Sequence, residues 1–454
     1  MDNARPAGRI SRSKAKLFLV ISVLLAPAAL ARAQTYSPLY NFSGGSDGGF
    51  PMAGLTMDAA GNFYGTTQYG GSNNCNAGCG TVFKLTRHNS SWALSTLYEF
   101  TGLDDGSGPI ARVVFGPDGA LYGTTNGGAY PGRCCGAIFR LTPPAHTCAS
   151  THCPWHLQVL YKFQGEADGG QPGAGDLIFD QDGSIYGTTE NGGQGTGACI
   201  TTCGTVFKLM KSGGVWTESV LHAFDGYDGS TPVGGVVFDH AGNLYGTTAY
   251  GGDIDLPSYF GTGVVFKLSP GQSGWTETII YTMQDTSGDG GLPYSALTPD
   301  PRGGFYADTY AGGGGGDCLW SQYSGCGSVF QTNYLGWFFT NLSNGGIPPT
   351  GLSGPRAPLT VDASANAYGT TYADGENGYG TIFKIRVDLV DHFPIWTYQV
   401  LYNFSGDTGS LPVSNVTFDS QGNMYGTSSK GGSGPCNDGV YAGCGVIWER
   451  SAPL

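Results

Sequence analysis

Phe63-Tyr64-Gly65-Thr66-Thr67 decides the fold, because it is the first of seven copies. It returns as Leu121-Tyr122-Gly123-Thr124-Thr125, then around Tyr186, Tyr245, Tyr306, Tyr368 and Tyr425, at intervals of 58, 64, 59, 61, 62 and 57 residues. Near-equal spacing of this kind marks one supersecondary unit written seven times. Just before Phe63, Gly54-Leu55-Thr56-Met57-Asp58 reads as a short strand and Asp58-Ala59-Ala60-Gly61-Asn62 as a turn. Asp bonds its own backbone there, and Gly-Asn tolerates positive φ. After Thr67 comes a Gly-rich loop with cysteines, a third strand from Gly80 to Leu85, and a fourth from Trp92 to Phe100. Asp105-Gly106-Ser107-Gly108-Pro109 then leads into the next unit.

Four antiparallel strands per unit, with no helical period, predict an all-β, seven-bladed β-propeller of four-stranded antiparallel blades. A parallel β-helix needs a much shorter repeat, and separate sandwiches need more strands per unit plus linkers. The fourth-strand motif Leu-Tyr-x-Phe first occurs at Leu39-Tyr40-Asn41-Phe42, before any first strand. The last unit stops after its third strand, Gly445-Val446-Ile447-Trp448. Residues 37–42 are therefore expected to pair with 445–449, so that the N-terminal strand completes the last blade and removes two exposed edges. The same strand order puts the loops after strands two and four on one face, the one expected to bind ligand.

Asp239 to Thr248 and Gly422 to Thr427 fit the unit closely: Asp-x-x-Gly-Asn, an apolar residue, then Tyr-Gly-Thr-Thr in the first, and its Gly-Asn, apolar residue and Tyr-Gly-Thr in the second. With Gly-Thr-Val-Phe-Lys-Leu and Leu-Tyr-x-Phe-x-Gly-x-x-Asp-Gly-x-x-Pro, it resembles the tandem repeat of the choice-of-anchor GloVer proteins. The likeness runs through nearly all of residues 37 to 449. Blade five departs from it at Tyr306-Ala307-Asp308-Thr309, and blade six has Ala365 in place of the turn Gly. The resemblance implies an exported bacterial propeller and carries over no catalytic residues.

Residues 1–33 lie outside the repeat. Arg5, Arg9, Arg12, Lys14 and Lys16 precede an apolar run from Leu17 to Leu30, followed by Ala31-Arg32-Ala33. This reads as a secretory signal cut before Gln34, leaving residues 34–454 as a single propeller domain. The run is shorter than the about 20 residues a membrane span requires, and no later segment is more apolar. Residues 1–33 hold six basic and one acidic residue, so their removal takes the formal charge from −13 to −18. So acidic a surface excludes nucleic acid and anionic lipid as expected partners. A monomer, secreted, periplasmic or on the cell surface, is the expected state.

The twelve cysteines fall into local pairs: Cys75-Cys79, Cys134-Cys135, Cys148-Cys153, Cys199-Cys203, Cys318-Cys326 and Cys436-Cys444. In an exported chain these read as six short disulfide loops. Zinc-type spacing is absent. His146, His152 and His156 crowd Cys148 and Cys153, where a disulfide accounts for the pattern without a metal.

Three sets of residues are candidates for a site. Asp47, Asp105, Asp168, Asp228 and Asp289 each open an Asp-Gly-x-x-Pro loop and could ring Ca²⁺; no other cofactor is expected. Asp before Gly is equally ordinary turn chemistry. The Tyr-Gly-Thr-Thr ring could offer hydroxyls to a sugar, yet residues repeated in every blade read as blade-to-blade packing, with Gly admitting a neighbouring backbone. The irregular loops hold Tyr259, Phe260, Asp317, Trp320 and Tyr323, and the Asp374 to Tyr379 loop shares their face. Aromatics beside carboxylates suit sugar or peptide. No Gly-x-Ser-x-Gly, His-Glu-x-x-His or P-loop is present. The expectation is a binding or scaffold module for extracellular glycan or surface protein, with no catalytic residue assigned. The alternatives are a carbohydrate-active hydrolase or lyase using Asp308 or Asp317, and a purely structural envelope protein.

Overall fold

Thr56–Met57, Phe63–Thr67, Thr81–His88 and Ser91–Glu99 pair in that order into one antiparallel sheet, the first blade of a ring. The computed structural model describes residues 35–452 except 130–134, 145–154, 194–202, 254–260, 285–288, 313–318, 321–322, 325–326, 334–335, 342–353, 374 and 391–392. The compact unit runs Gln34–Ala452; the expected signal segment lies outside the described residues. Seven such sheets make a seven-bladed β-propeller, and blade 3 adds a short strand, Gly170–Pro172. Blades 1 to 7 are numbered here by their second strands: Phe63–Thr67, Leu121–Thr125, Ile185–Asn191, Leu244–Thr248, Phe305–Thr309, Ala367–Thr371 and Met424–Ser428.

The ring closes as the chain ends require. Tyr36–Asn41 lies antiparallel to Val446–Arg450, with Tyr36 opposite Arg450 and Asn41 opposite Val446. Phe42 N–H donates to the Gly445 carbonyl at 3.1 Å. Across the closure, Thr417 Oγ1 of blade 7 donates to Leu55 O of blade 1 at 2.8 Å, and Thr427 Oγ1 to Ala53 O at 2.8 Å.

The repeat residues have assignable tasks. In blades 1, 4, 6 and 7 the first Thr of Tyr-Gly-Thr-Thr or its variant reaches the next blade's backbone, as Thr66 does to Ala111 O at 2.9 Å and Thr370 to Ser414 O at 3.0 Å. The second bonds within the blade, Thr67 to the Thr81 hydroxyl at 2.8 Å. The Gly admits a ring, not a neighbouring backbone as expected: a Cβ on Gly65 would sit 2.5 Å from Phe83 Cζ. Phe83 is the cross-strand partner of Gly65, and the larger aromatic simply covers the bare position. Tyr64, buried, packs on Phe115 and Trp155 of blade 2. Each fully buried Phe of these interfaces (Phe83, Phe100, Phe139) contributes about 1.5–3 kcal/mol.

The fourth strand bulges at the residue before the Tyr of Leu-Tyr-x-Phe. Val82 faces Tyr98 and Phe83 faces Thr96, leaving Leu97 unopposed. Leu160, Leu221, Ile280, Leu401 and Leu39 repeat this in five other blades. Blade 5, which has no such motif, pairs Ser328 through Asn333 with Gly336 through Asn341 without a shift.

Candidate functional site

The loops after strands two and four share a face, as the strand order requires. A Cβ on Gly102, in the loop after blade 1's last strand, would meet Cys75 Sγ at 2.5 Å and Cys79 Sγ at 3.0 Å. Disulfides join Cys75 to Cys79 and Cys436 to Cys444. Cys135 and Cys203 are also disulfide-bonded; Cys134, Cys148, Cys153, Cys199, Cys318 and Cys326 lie outside the described residues.

The carboxylates of the Asp-Gly-x-x-Pro loops turn inward on their own loops. Asp105 accepts from Tyr98 Oη at 3.0 Å, Thr101 N–H at 2.8 Å and Thr101 Oγ1 at 2.6 Å. Asp47, Asp168 and Asp289 accept from Tyr40, Tyr161 and Tyr281 in the same way. In blade 4, His222 Nε2 replaces the tyrosine, 2.9 Å from Asp228. Burial and the adjacent aspartate push the hydroxyls of Tyr98, Tyr161 and Tyr281 upward, and that of Tyr40 to about 12. Among the described residues, no group of three or more His, Cys, Asp or Glu is placed to hold a metal ion.

Of the irregular-loop candidates, Tyr259, Phe260 and Asp317 lie outside the described residues. Trp320 and Tyr323 are cross-strand neighbours in a two-stranded hairpin. Asp308 is sealed, 0% exposed, and burial pushes its carboxyl up to about 8. It stands where other blades carry the first Thr, and neither of its oxygens has a hydrogen-bond partner of good geometry.

A different cluster gathers at the axis. Four residues that follow a loop proline, Met52, Tyr294, Arg356 and Val413, line a narrow channel, and Arg112 and Asp176 line it too. About 30 Å³ of that channel is open to atoms of water size. Arg112 Nε donates to Asp176 Oδ2 at 3.0 Å, tying blade 2 to blade 3. The carboxylate holds the guanidinium's affinity for its proton above the usual value.

Arg356, in blade 6, has no such acceptor among the described residues. Its Cζ lies over three rings, 4.1 Å from the centre of Tyr310, 4.4 Å from Tyr372 and 5.6 Å from Tyr294. Tyr294 and Tyr250 share a hydrogen bond between hydroxyls at 2.9 Å. Burial, with Tyr250 adjacent, raises the Tyr294 hydroxyl well above its ordinary value. Arg356 Nε and the Tyr310 hydroxyl are both buried without a hydrogen-bond partner.

Sequence reasoning missed this cluster by looking for irregular loops. The signal lay in the regular columns. After the loop proline stand Met52, Ile110, Gly173, Val233, Tyr294, Arg356 and Val413; after Thr-Thr or its equivalent stand Gln68, Asn126, Glu190, Ala249, Tyr310, Tyr372 and Ser429. Only blades 5 and 6 break both columns toward aromatic and cationic side chains.

The chain matches the repeat described as the Gloeobacter/Verrucomicrobia repeat over residues 28–156 and 151–320. It belongs to that repeat family. Members of this family are thus expected to share the blade unit described above, and the Arg356 cluster is a departure from it. No curated protein matches the chain in sequence. Solved structures similar to it include an ulvan lyase, 9% identical over 91% of this chain and 95% of that one, TM-score 0.50. A candidate 6-phosphogluconolactonase from Bacteroides uniformis is 17% identical over 77% and 85%, TM-score 0.44. A protein from Lactobacillus plantarum is 13% identical over 82% and 95%, TM-score 0.42. At these identities the likeness is one of fold.

Proposed function

We propose that this member of the repeat family is an exported binding module that recognises extracellular glycan or surface protein through the face bearing the stapled loops. Disulfides at Cys75–Cys79 and Cys436–Cys444 suit an oxidising compartment. No helix among the described residues is long and apolar enough to cross a membrane. The observation that carries the reading is the break in sevenfold repetition at Tyr294, Tyr310, Arg356 and Tyr372. Residues that pack blades recur in every blade; these do not, and they gather around one arginine that lines the channel. Function on a propeller resides in such grafted sites, not in the fold.

Catalysis receives less support. Asp308, the carboxyl with the most displaced proton affinity, is closed off from solvent. A glycan array probed with the purified chain from Gln34 tests the reading. Selective binding to a glycan class is expected. An array without hits, together with no capture of surface protein, would overturn it.

A further inference from the structure

The Arg356 cluster allows the ligand's chemistry to be narrowed, on the reading that this face binds glycan. We infer that the channel mouth takes a single carboxylate carried on a sugar, a uronate, seated on the Arg356 guanidinium.

Four observations converge. First, two buried donors lack acceptors: Arg356 Nε–H and Tyr310 O–H. Buried polar groups are nearly always paired, and an exception calls for an absent partner. Second, both donors belong to groups in contact, since Arg356 Cζ lies 4.1 Å from the Tyr310 ring centre. A ligand that only accepts hydrogen bonds answers both at once. Guanidinium presents a planar fork that matches a carboxylate, whereas an ammonium does not.

Third, the other arginine of the channel already has a carboxylate, Asp176, and among the described residues Arg356 has none. Its guanidinium lies instead over the faces of Tyr310, Tyr372 and Tyr294. Fourth, the space is small. About 30 Å³ admits the head of one anion and no sugar ring. The carboxylate enters beside Arg356, and the sugar ring stays outside the narrow part of the channel. A chain of strongly negative net charge repels a polyanion, so one terminal uronate fits better than an extended acidic polymer.

Calorimetric titration of the chain from Gln34 with glucuronate, glucose and acetate tests the inference. Glucuronate is expected to bind, acetate more weakly, and glucose not measurably. Arg356→Lys keeps the charge, loses the fork, and should weaken glucuronate by about tenfold or more. Tyr310→Phe keeps the ring and should weaken it several-fold. Equal binding of glucose and glucuronate overturns the inference, as does a glucuronate affinity unchanged in Arg356→Lys. An Arg356-dependent acidic peptide without glucuronate binding overturns the sugar assignment. Array hits that survive Arg356→Lys leave the glycan-binding face standing while the carboxylate site falls. Thermal melts of both variants at the wild-type temperature exclude misfolding as the cause.

Discussion

Arg112 and Arg356 stand in one channel and are treated oppositely. On the side built by blades 2 and 3, the neighbours are small (Gly173, Ala174, Gly175), and Arg112 is neutralised by Asp176 of the next blade. On the side built by blades 5 and 6, the neighbours are tyrosines and the guanidinium has rings in place of a carboxylate. The first arrangement joins two wedges. The second leaves hydrogen-bond donors unspent. The difference separates a cation that holds the ring together from one that the ring holds ready.

The sharpest way to break this comparison is to remove one partner on each side. Asp176→Ala leaves Arg112 partly buried and unpaired, which costs about 3 kcal/mol. Arg356→Met strands no carboxylate, keeps apolar contact with Tyr310 and Tyr372, and should change stability by less than about 1 kcal/mol. Urea unfolding of both variants measures the contrast. Equal losses would mean that Arg356 is a structural strut.

Asp308 offers the next largest effect. Its carboxyl is pushed up to about 8 by burial, against 3.8 ordinarily. The folded chain therefore keeps a proton that the unfolded chain releases. Stability is fully present below about pH 4 and is lost as pH rises through 8. Asp308→Thr restores the hydroxyl that bonds the next blade elsewhere, as Thr247 does to Ser295 O at 2.8 Å. It should stabilise the protein by about 2 kcal/mol at pH 8 and by little at pH 4. Melting temperatures at the two pH values check this. A pH-independent gain would mean that Asp308 ionises in place.

The two sides also differ in how well they can be read from sequence. Ring closure was legible because Leu39-Tyr40-Asn41-Phe42 is a fourth strand without a first three, and edge strands require partners. The Asp-Tyr clasp was half legible. Asp105 is visible as a turn residue, but its acceptance from Tyr98 depends on the bulge at Leu97, which no residue type announces. The Gly65 task was misread because the cross-strand partner Phe83 lies 18 residues away in sequence. Asp308 stood out as a break in Tyr-Gly-Thr-Thr, yet its complete burial follows from the packing of the next blade. The Arg356 cluster joins two columns of the repeat across two blades, and only closing the ring brings those columns together.

Glu190 tests whether the blade 2–3 side is as passive as Arg112 makes it look. It occupies the column of Tyr310 and Tyr372, in blade 3. Burial alone pushes its carboxyl up to about 7, with no cation contributing. As with Asp308, folding favours the protonated form, so Glu190 is neutral at no cost below about pH 4.5 and costs stability as pH rises through 7. Glu190→Gln should therefore melt higher than wild type at pH 8 and coincide with it at pH 4.5, by a smaller margin than Asp308→Thr because Glu190 is less deeply buried. The same substitution removes the one acidic residue of that column, so glucuronate should bind at pH 8 as well as, or better than, in the wild type. Weaker binding in Glu190→Gln would place the ligand on both sides of the channel and erase the contrast between the two arginines.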